Sequence, residues 1–151
     1  MKRLNHNARV LVTDGGRATV FRNAGQIGHP DLQPFKSYHQ DNAYNRDLAT
    51  DKPSRVMESV GQRRSSAEQP DYHQQAEDRF VVEIAADMER DLAAGEFSEL
   101  IVVAPPVALG VYRKAAPQKL QQATVFELNK DLTKHSASDV AAIVVKALEG
   151  D

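Results

Sequence analysis

The chain has 151 residues, with 19 Lys and Arg against 21 Asp and Glu, a formal net charge of −2 and no cysteine. This length predicts one domain, and the lack of cysteine excludes disulfides and thiolate metal sites. The charge balance excludes the overall basic character that is typical of nucleic-acid-binding domains, although Met1–Phe21 and Arg113–Lys134 are locally basic. No apolar run reaches the roughly 20 residues of a membrane helix, and the N-terminus lacks an apolar signal core. We therefore expect a soluble, cytoplasmic protein without membrane insertion.

The N-terminal segment predicts a β-hairpin. Ala8–Thr13 reads as a strand with Val10-Leu11-Val12 at its centre, and Ala18–Phe21 alternates like a second strand. Asp14-Gly15-Gly16 between them has turn chemistry, because glycine adopts positive φ at little cost.

The segment Asn23–Gln69 is polar and rich in Asn, Gln, Asp, Ser, Gly and Pro. Ile27–Phe35 predicts one short strand. A long connection inside a compact domain is usually functional or mobile. We therefore predict a single domain over residues 1–151 that carries a polar, mobile insertion at about 36–69.

A long amphipathic helix follows the insertion. Apolar residues recur every four positions at Ala76, Phe80, Ile84, Met88 and Leu92, which is helical periodicity. Pro70-Asp71 is the predicted start and Gly95 the predicted C-terminal cap.

Alternating strands and helices complete the chain. Leu100–Val103 predicts a buried strand that must end at Pro105-Pro106, since proline cannot donate a ladder hydrogen bond. The patterns then predict helical segments at Val107–Lys114 and Gln118–Gln122, followed by a strand at Ala123–Leu128. A last helix is predicted from the Ser136 cap to Gly150. This order predicts an α/β fold, a mixed β-sheet with an N-terminal hairpin and helices packed on it.

Several motifs resemble the bacterial host attachment proteins, described as required for attachment to host cells. They follow one another in the family's order: Val12–Phe21, Glu77 with Arg79 and Phe80, Val103-Ala104-Pro105-Pro106, Leu109-Gly110 and Lys130–Lys134. That family is in turn similar to the middle domain of archaeal and eukaryotic peptide-release factors, which implies a ribonuclease-H-like fold. Those factors carry a Gly-Gly-Gln loop. The nearest match here is Val60-Gly61-Gln62, in which valine replaces the first glycine.

No catalytic constellation is apparent, so we predict no catalytic residue, no metal site and no cofactor. A metal nuclease needs several carboxylates that converge on Mg²⁺. Asp14 is better explained as a turn residue, and Asp131 as a loop residue. The histidines form no H-x-H or HExxH arrangement, and there is no phosphate loop or nucleophile elbow.

The predicted binding residues are Gly61, Gln62, Arg63, Arg64, Lys130 and Lys134. Paired arginines on a loop can engage phosphates through forked hydrogen bonds, and the two lysines suggest a small basic patch. The main hypothesis is a non-enzymatic interaction protein with an indirect role in host attachment. The alternative is a ribosome- or RNA-associated factor, and a metal-dependent nuclease ranks third. The partner is thus an unknown protein, or a ribosome or RNA, and a homo-oligomer stays open.

Overall fold

The structure is a computed structural model that describes residues 2–40 and 72–150. The elements of these residues follow the order β1 Arg9–Thr13, β2 Arg17–Asn23, β3 Leu32–His39, α1 Tyr72–Ala93, β4 Leu100–Ala104, α2 Pro106–Ala115, α3 Gln118–Ala123, β5 Thr124–Asn129 and α4 Ala137–Glu149.

The five strands form one mixed sheet with the order β3-β2-β1-β4-β5. The pairs β1–β2 and β2–β3 are antiparallel, whereas β1–β4 and β4–β5 are parallel. The carboxyl ends of β1, β4 and β5 therefore lie along one edge of the sheet. The predicted mixed α/β sheet with an N-terminal hairpin is confirmed.

The sheet is covered on both faces, which explains the unbroken apolar run of β4. Leu11 and Val102 point towards α1, α2 and α3, while Val10 and Val103 point towards α4. Val102 and Val103 are both 0% exposed. A strand between two helical layers has no wet face, so its sequence does not alternate.

The end of α1 is a Schellman motif. Gly95 has φ +80°, and its N–H donates to the Leu92 carbonyl at 3.0 Å, while Glu96 N–H donates to the Asp91 carbonyl at 3.0 Å. The predicted glycine cap is therefore correct. The predicted start at Pro70-Asp71 lies outside the described residues.

The third strand differs from its prediction. It covers Leu32–His39 rather than Ile27–Phe35, so the sheet continues four residues beyond Phe35, into the start of the predicted insertion at 36–69. Lys36 and Ser37 fall in the predicted insertion, whereas Pro34 lies inside the predicted strand. All three are tolerated here because, among the strands of residues 2–40 and 72–150, β3 is an edge strand that pairs with β2 alone.

The second half of the chain follows its predicted elements closely. Pro106 opens α2 at a position where the missing N–H costs nothing. Ser136 caps α4, and its hydroxyl accepts a hydrogen bond from Asp139 N–H at 3.1 Å. Within residues 2–40 and 72–150, no helix is long and apolar enough to cross a membrane.

Candidate functional site

The turn after β1 lies at the carboxyl edge of the sheet, where open α/β sheets usually bind their ligands. Asp14 shapes this turn, since its Oδ1 accepts hydrogen bonds from Gly16 N–H at 2.7 Å and Arg17 N–H at 2.9 Å. The predicted role of Asp14 as a turn residue is therefore what the geometry shows.

The loop after β5 reaches the same turn through Thr133. Its hydroxyl lies 3.3 Å from Asp14 Oδ2 and 2.7 Å from Asp131 Oδ1. The Thr133 hydroxyl is the main cause that lowers the pKa of Asp131, and the Thr133 N–H, at 3.1 Å, acts in the same direction. The Thr133 hydroxyl therefore lies between Asp14 and Asp131, and both carboxylates accept hydrogen bonds from backbone or hydroxyl groups. In the part of the chain that the structure describes, no group of three His, Asp or Glu side chains could hold a metal ion.

The two described ends that flank residues 41–71 also meet this turn. Gln40 N–H donates to the Gly16 carbonyl and Gln40 Nε2 to the Gly15 carbonyl, both at 2.8 Å. On the other side, Glu77 of α1 lies so close that a Cβ added at Gly15 would stand 2.6 Å from the Glu77 side chain. The loop after β5, Gln40 and α1 therefore all contact the turn after β1. We call the region made of Asp14–Arg17, Gln40 and Lys130–Lys134 the carboxyl edge.

The predicted binding residues divide into two groups. Lys130 and Lys134 are exposed on the loop of the carboxyl edge. Gly61–Arg64 lie outside the described residues, so their role stays a prediction. Arg17 was not predicted as a binding residue. It is exposed, its N–H bonds to Asp14, and it makes no ion pair within residues 2–40 and 72–150. Its position directly after the Asp-Gly-Gly turn was the available signal.

A second feature is a groove between the end of β3 and one side of α1. It has a volume of about 820 Å³, and its lining includes Tyr38, Tyr72, Gln75, Arg79 and Phe80. We call it the β3/α1 groove. Its size falls in the range of roughly 300–1,000 Å³ that is usual for ligand pockets.

A cluster of polar and charged groups centred on Asp87 adjoins this groove, and its members Tyr38, Asp87 and Arg90 line the groove. The Asp87 carboxylate accepts a hydrogen bond from the Tyr38 hydroxyl, and pairs with Lys36 at 3.3 Å and Arg90 at 2.8 Å. Lys36 also pairs with Asp91 at 2.7 Å. We call these five residues the Asp87 cluster.

The Asp87 cluster shifts the protonation of its members. Burial alone would raise the pKa of Asp87, but the hydrogen bonds from Tyr38, Lys36 and Arg90 outweigh it and the pKa is lowered. The hydrogen bond to Asp91 raises the pKa of Lys36. Burial, and then the bond to Asp87, raises the pKa of Tyr38. Each shift favours the protonation state that holds β3 against α1.

These features define an α/β protein whose charged loops converge on the carboxyl ends of its central strands. The chain belongs to the bacterial archaeo-eukaryotic release factor family 12, whose model matches residues 7–144. The resemblance to release factors is thereby confirmed at the level of the family.

Among solved structures, the chain is similar to the crystal structure of the archaeal translation termination factor aRF1. The identity is 12%, the TM-score is 0.46, and the match covers 95% of this chain and 39% of that one. The chain thus spans well under half the length of that factor. No curated protein matches. The comparisons give no support to the resemblance to host attachment proteins, and the family model favours the alternative hypothesis.

Proposed function

We propose that this protein is a ribosome- or RNA-associated factor of the release-factor class. The observation that carries the proposal is the family model, which extends over residues 7–144. The ribonuclease-H-like identity of the fold, the single domain over residues 1–151 and a cytoplasmic location remain parts of this proposal.

The carboxyl edge supports the proposal through its charge. Arg17 follows the turn after β1, and Lys130 and Lys134 lie on the loop whose Thr133 reaches this turn; all three are exposed. Of the nearby acids, Asp14 and Asp131 accept hydrogen bonds from Gly16, Arg17 and Thr133, whereas Glu77 is exposed. Three exposed cations beside these acids suit a phosphate backbone, where binding releases counterions and depends strongly on salt.

The connection between Gln40 and Tyr72 also supports the proposal. It contains Gly61-Gln62-Arg63-Arg64, and Gln40 at its start bonds to the turn of the carboxyl edge. Its two arginines would raise the positive charge that the chain offers to a phosphate backbone.

Cosedimentation with ribosomes at low and high salt tests the proposal. We expect the wild-type chain to sediment with ribosomes at low salt and to be released as salt increases. Arg63→Ala with Arg64→Ala should lose this association. The charge-preserving pair Arg63→Lys and Arg64→Lys should retain part of it.

A second comparison tests the carboxyl edge. The triple variant Arg17→Ala, Lys130→Ala, Lys134→Ala should bind more weakly and reduce the salt slope by about two to three. The matched control removes three exposed cations elsewhere, Lys114, Lys119 and Lys146, and should bind as the wild type does. If the wild-type chain shows no association at low salt, the proposed function is wrong.

A further inference from the structure

We infer that the outer edge of β5 pairs with β5 of a second copy of this chain, antiparallel and across a twofold axis. Such pairing joins the two five-stranded sheets into one continuous sheet. The inference goes beyond the proposed function, because it uses no residue of the carboxyl edge and none of the connection between Gln40 and Tyr72.

Within residues 2–40 and 72–150, β5 has a strand partner on one side alone, which is β4. Its other backbone hydrogen bonds in these residues are local. The Thr124 N–H donates to the carbonyls at the end of α3, and the Leu128 carbonyl accepts from Lys130 N–H at 3.1 Å. A strand with one neighbour presents a row of N–H and C=O groups to which a further strand can bind.

The two edge strands of the sheet are built differently. β3 carries Pro34, Lys36 and an irregular register opposite Val20 and Phe21. Proline, lysine and irregular register are all devices that keep an edge from pairing with another chain. β5 has neither proline nor lysine, and its register with β4 is irregular only at its start and regular over residues 126–129. The outer edge of β5 is therefore suited to accept another strand.

The apolar side chains of β5 match those of a second β5 strand. Phe126 and Leu128 pair with Ile101 and Val103 of β4, so both lie on the face that α4 covers. In antiparallel pairing centred on Glu127, Phe126 of each copy lies opposite Leu128 of the other. An aromatic ring opposite an apolar side chain is a favourable cross-strand pair. This contact occurs twice, as a twofold interface requires.

The charges of β5 also match those of a second copy. Glu127 is the single charged residue of the strand, and its Oε1 lies 2.6 Å from Arg113 Nη2 and 2.7 Å from Arg113 Nε. The Arg113 side chain is 60% exposed, so its guanidinium can also contact the carboxylate of the other copy at the axis. Two carboxylates and two guanidinium groups then meet, and the repulsion between like charges on facing strands is offset.

Multi-angle light scattering of the full chain, over a dilution series, tests the pairing. We expect a mass twice the 16.7 kDa of one chain, which falls towards that of one chain on dilution. Arg113→Glu leaves only carboxylates at the axis and should give a monomer. The double variant Arg113→Glu, Glu127→Arg restores both ion pairs with exchanged positions and should again form a dimer. Lys114→Glu changes the neighbouring exposed cation of α2 and is the matched control, which should remain a dimer.

Single cysteines locate the contact, because the chain has none of its own. In the register centred on Glu127, the two copies of Asn129 lie about 13 Å apart along the strand, from four residues at about 3.3 Å each. A flexible bismaleimide should therefore cross-link the Asn129→Cys variant into a dimer. Gln33→Cys, at an exposed position of β3, is the control and should not cross-link.

The inference is overturned if the wild-type chain is a monomer at every dilution or if Arg113→Glu remains a dimer. A monomeric double variant, or cross-linking of Gln33→Cys as readily as of Asn129→Cys, would also overturn it. The dimer and the proposed function fail separately. A monomer that sediments with ribosomes overturns the dimer alone, and a β5-paired dimer that does not sediment overturns the proposed function alone.

Discussion

At the scale of single residues, Asp87 is the acceptor that joins two distant segments. The hydroxyl of Tyr38, the amine of Lys36 and the guanidinium of Arg90 all donate to one carboxylate whose side chain is 19% exposed. In the sequence, Asp87 is only one polar position on the predicted amphipathic helix. Helical periodicity could not reveal its partners, because Lys36 and Tyr38 come from an edge strand about fifty positions earlier.

Asp87→Asn should lower the free energy of unfolding by about 1–3 kcal/mol, because three donors lose a charged acceptor. Urea unfolding at neutral pH measures the change. Glu83→Gln, on the exposed side of the same helix, is the matched control and should change stability by less than about 0.5 kcal/mol. Equal effects of the two substitutions would show that the Asp87 cluster contributes nothing beyond a surface charge.

The pH dependence of stability follows from the same cluster. The pKa of Asp87 is lowered from 3.8, so its contribution is complete above that value and is lost as the pH falls through the folded-state pKa. The pKa values of Tyr38 and Lys36 are raised from 10.0 and 10.5, so their contributions are lost as the pH rises through their folded-state values. We expect the wild-type chain to lose stability below about pH 4, and Asp87→Asn to lose less over the same interval.

At the scale of elements, the sequence predicted best where a local rule determines the structure. The four-residue spacing along α1, the apolar run of β4 and the Ser136 cap of α4 each reflect a local rule that the fold obeys. The third strand was misplaced because its pattern is set by its location. An edge strand accepts exposed polar residues such as Lys36 and Ser37, and those residues look like a loop until the neighbouring strand is known.

The cap of α4 gives an element-scale prediction. Ser136→Ala should cost about 1 kcal/mol, because the Asp139 N–H loses its side-chain acceptor. Ser138→Ala removes a hydroxyl from the first turn of the same helix that lies 3.3 Å from the Ser136 hydroxyl and leaves the bond from Asp139 N–H in place, so it should cost much less. Thermal unfolding of both variants checks the difference. A larger loss for Ser138→Ala would contradict the assigned cap.

At the scale of the whole molecule, the carboxyl edge was only partly readable from the sequence. Lys130 and Lys134 were proposed from charge alone, and Asp14 from turn chemistry. Their convergence required the parallel arrangement of β1, β4 and β5, which no local pattern states. The β3/α1 groove was not predicted from the sequence. Tyr38 lies at the start of the predicted insertion and Tyr72 follows its end, so no local pattern connects the two residues.

The contact between the hairpin turn and α1 predicts an asymmetry between two adjacent glycines. A Cβ at Gly15 would lie 2.7 Å from Glu77 Cβ, an atom fixed to the helix backbone. Gly15→Ala should therefore cost about 1–3 kcal/mol, since α1 must shift. At Gly16 the nearest atom is Asp14 Oδ1 at 3.8 Å, so Gly16→Ala should change the free energy of unfolding far less. Chemical denaturation of the Gly15→Ala and Gly16→Ala variants measures the difference. Similar losses of unfolding free energy in the two variants would contradict the predicted clash.

The fastening of Gln40 to the turn has a consequence for how this architecture can diversify. Gln40 and Tyr72, the described residues on either side of positions 41–71, line the same groove. For a flexible insertion between two such fixed points, doubling the length adds only about 0.6 kcal/mol of entropic cost. Sequences of quite different size could therefore be grafted between these two anchor points while the sheet and its helices keep their stability.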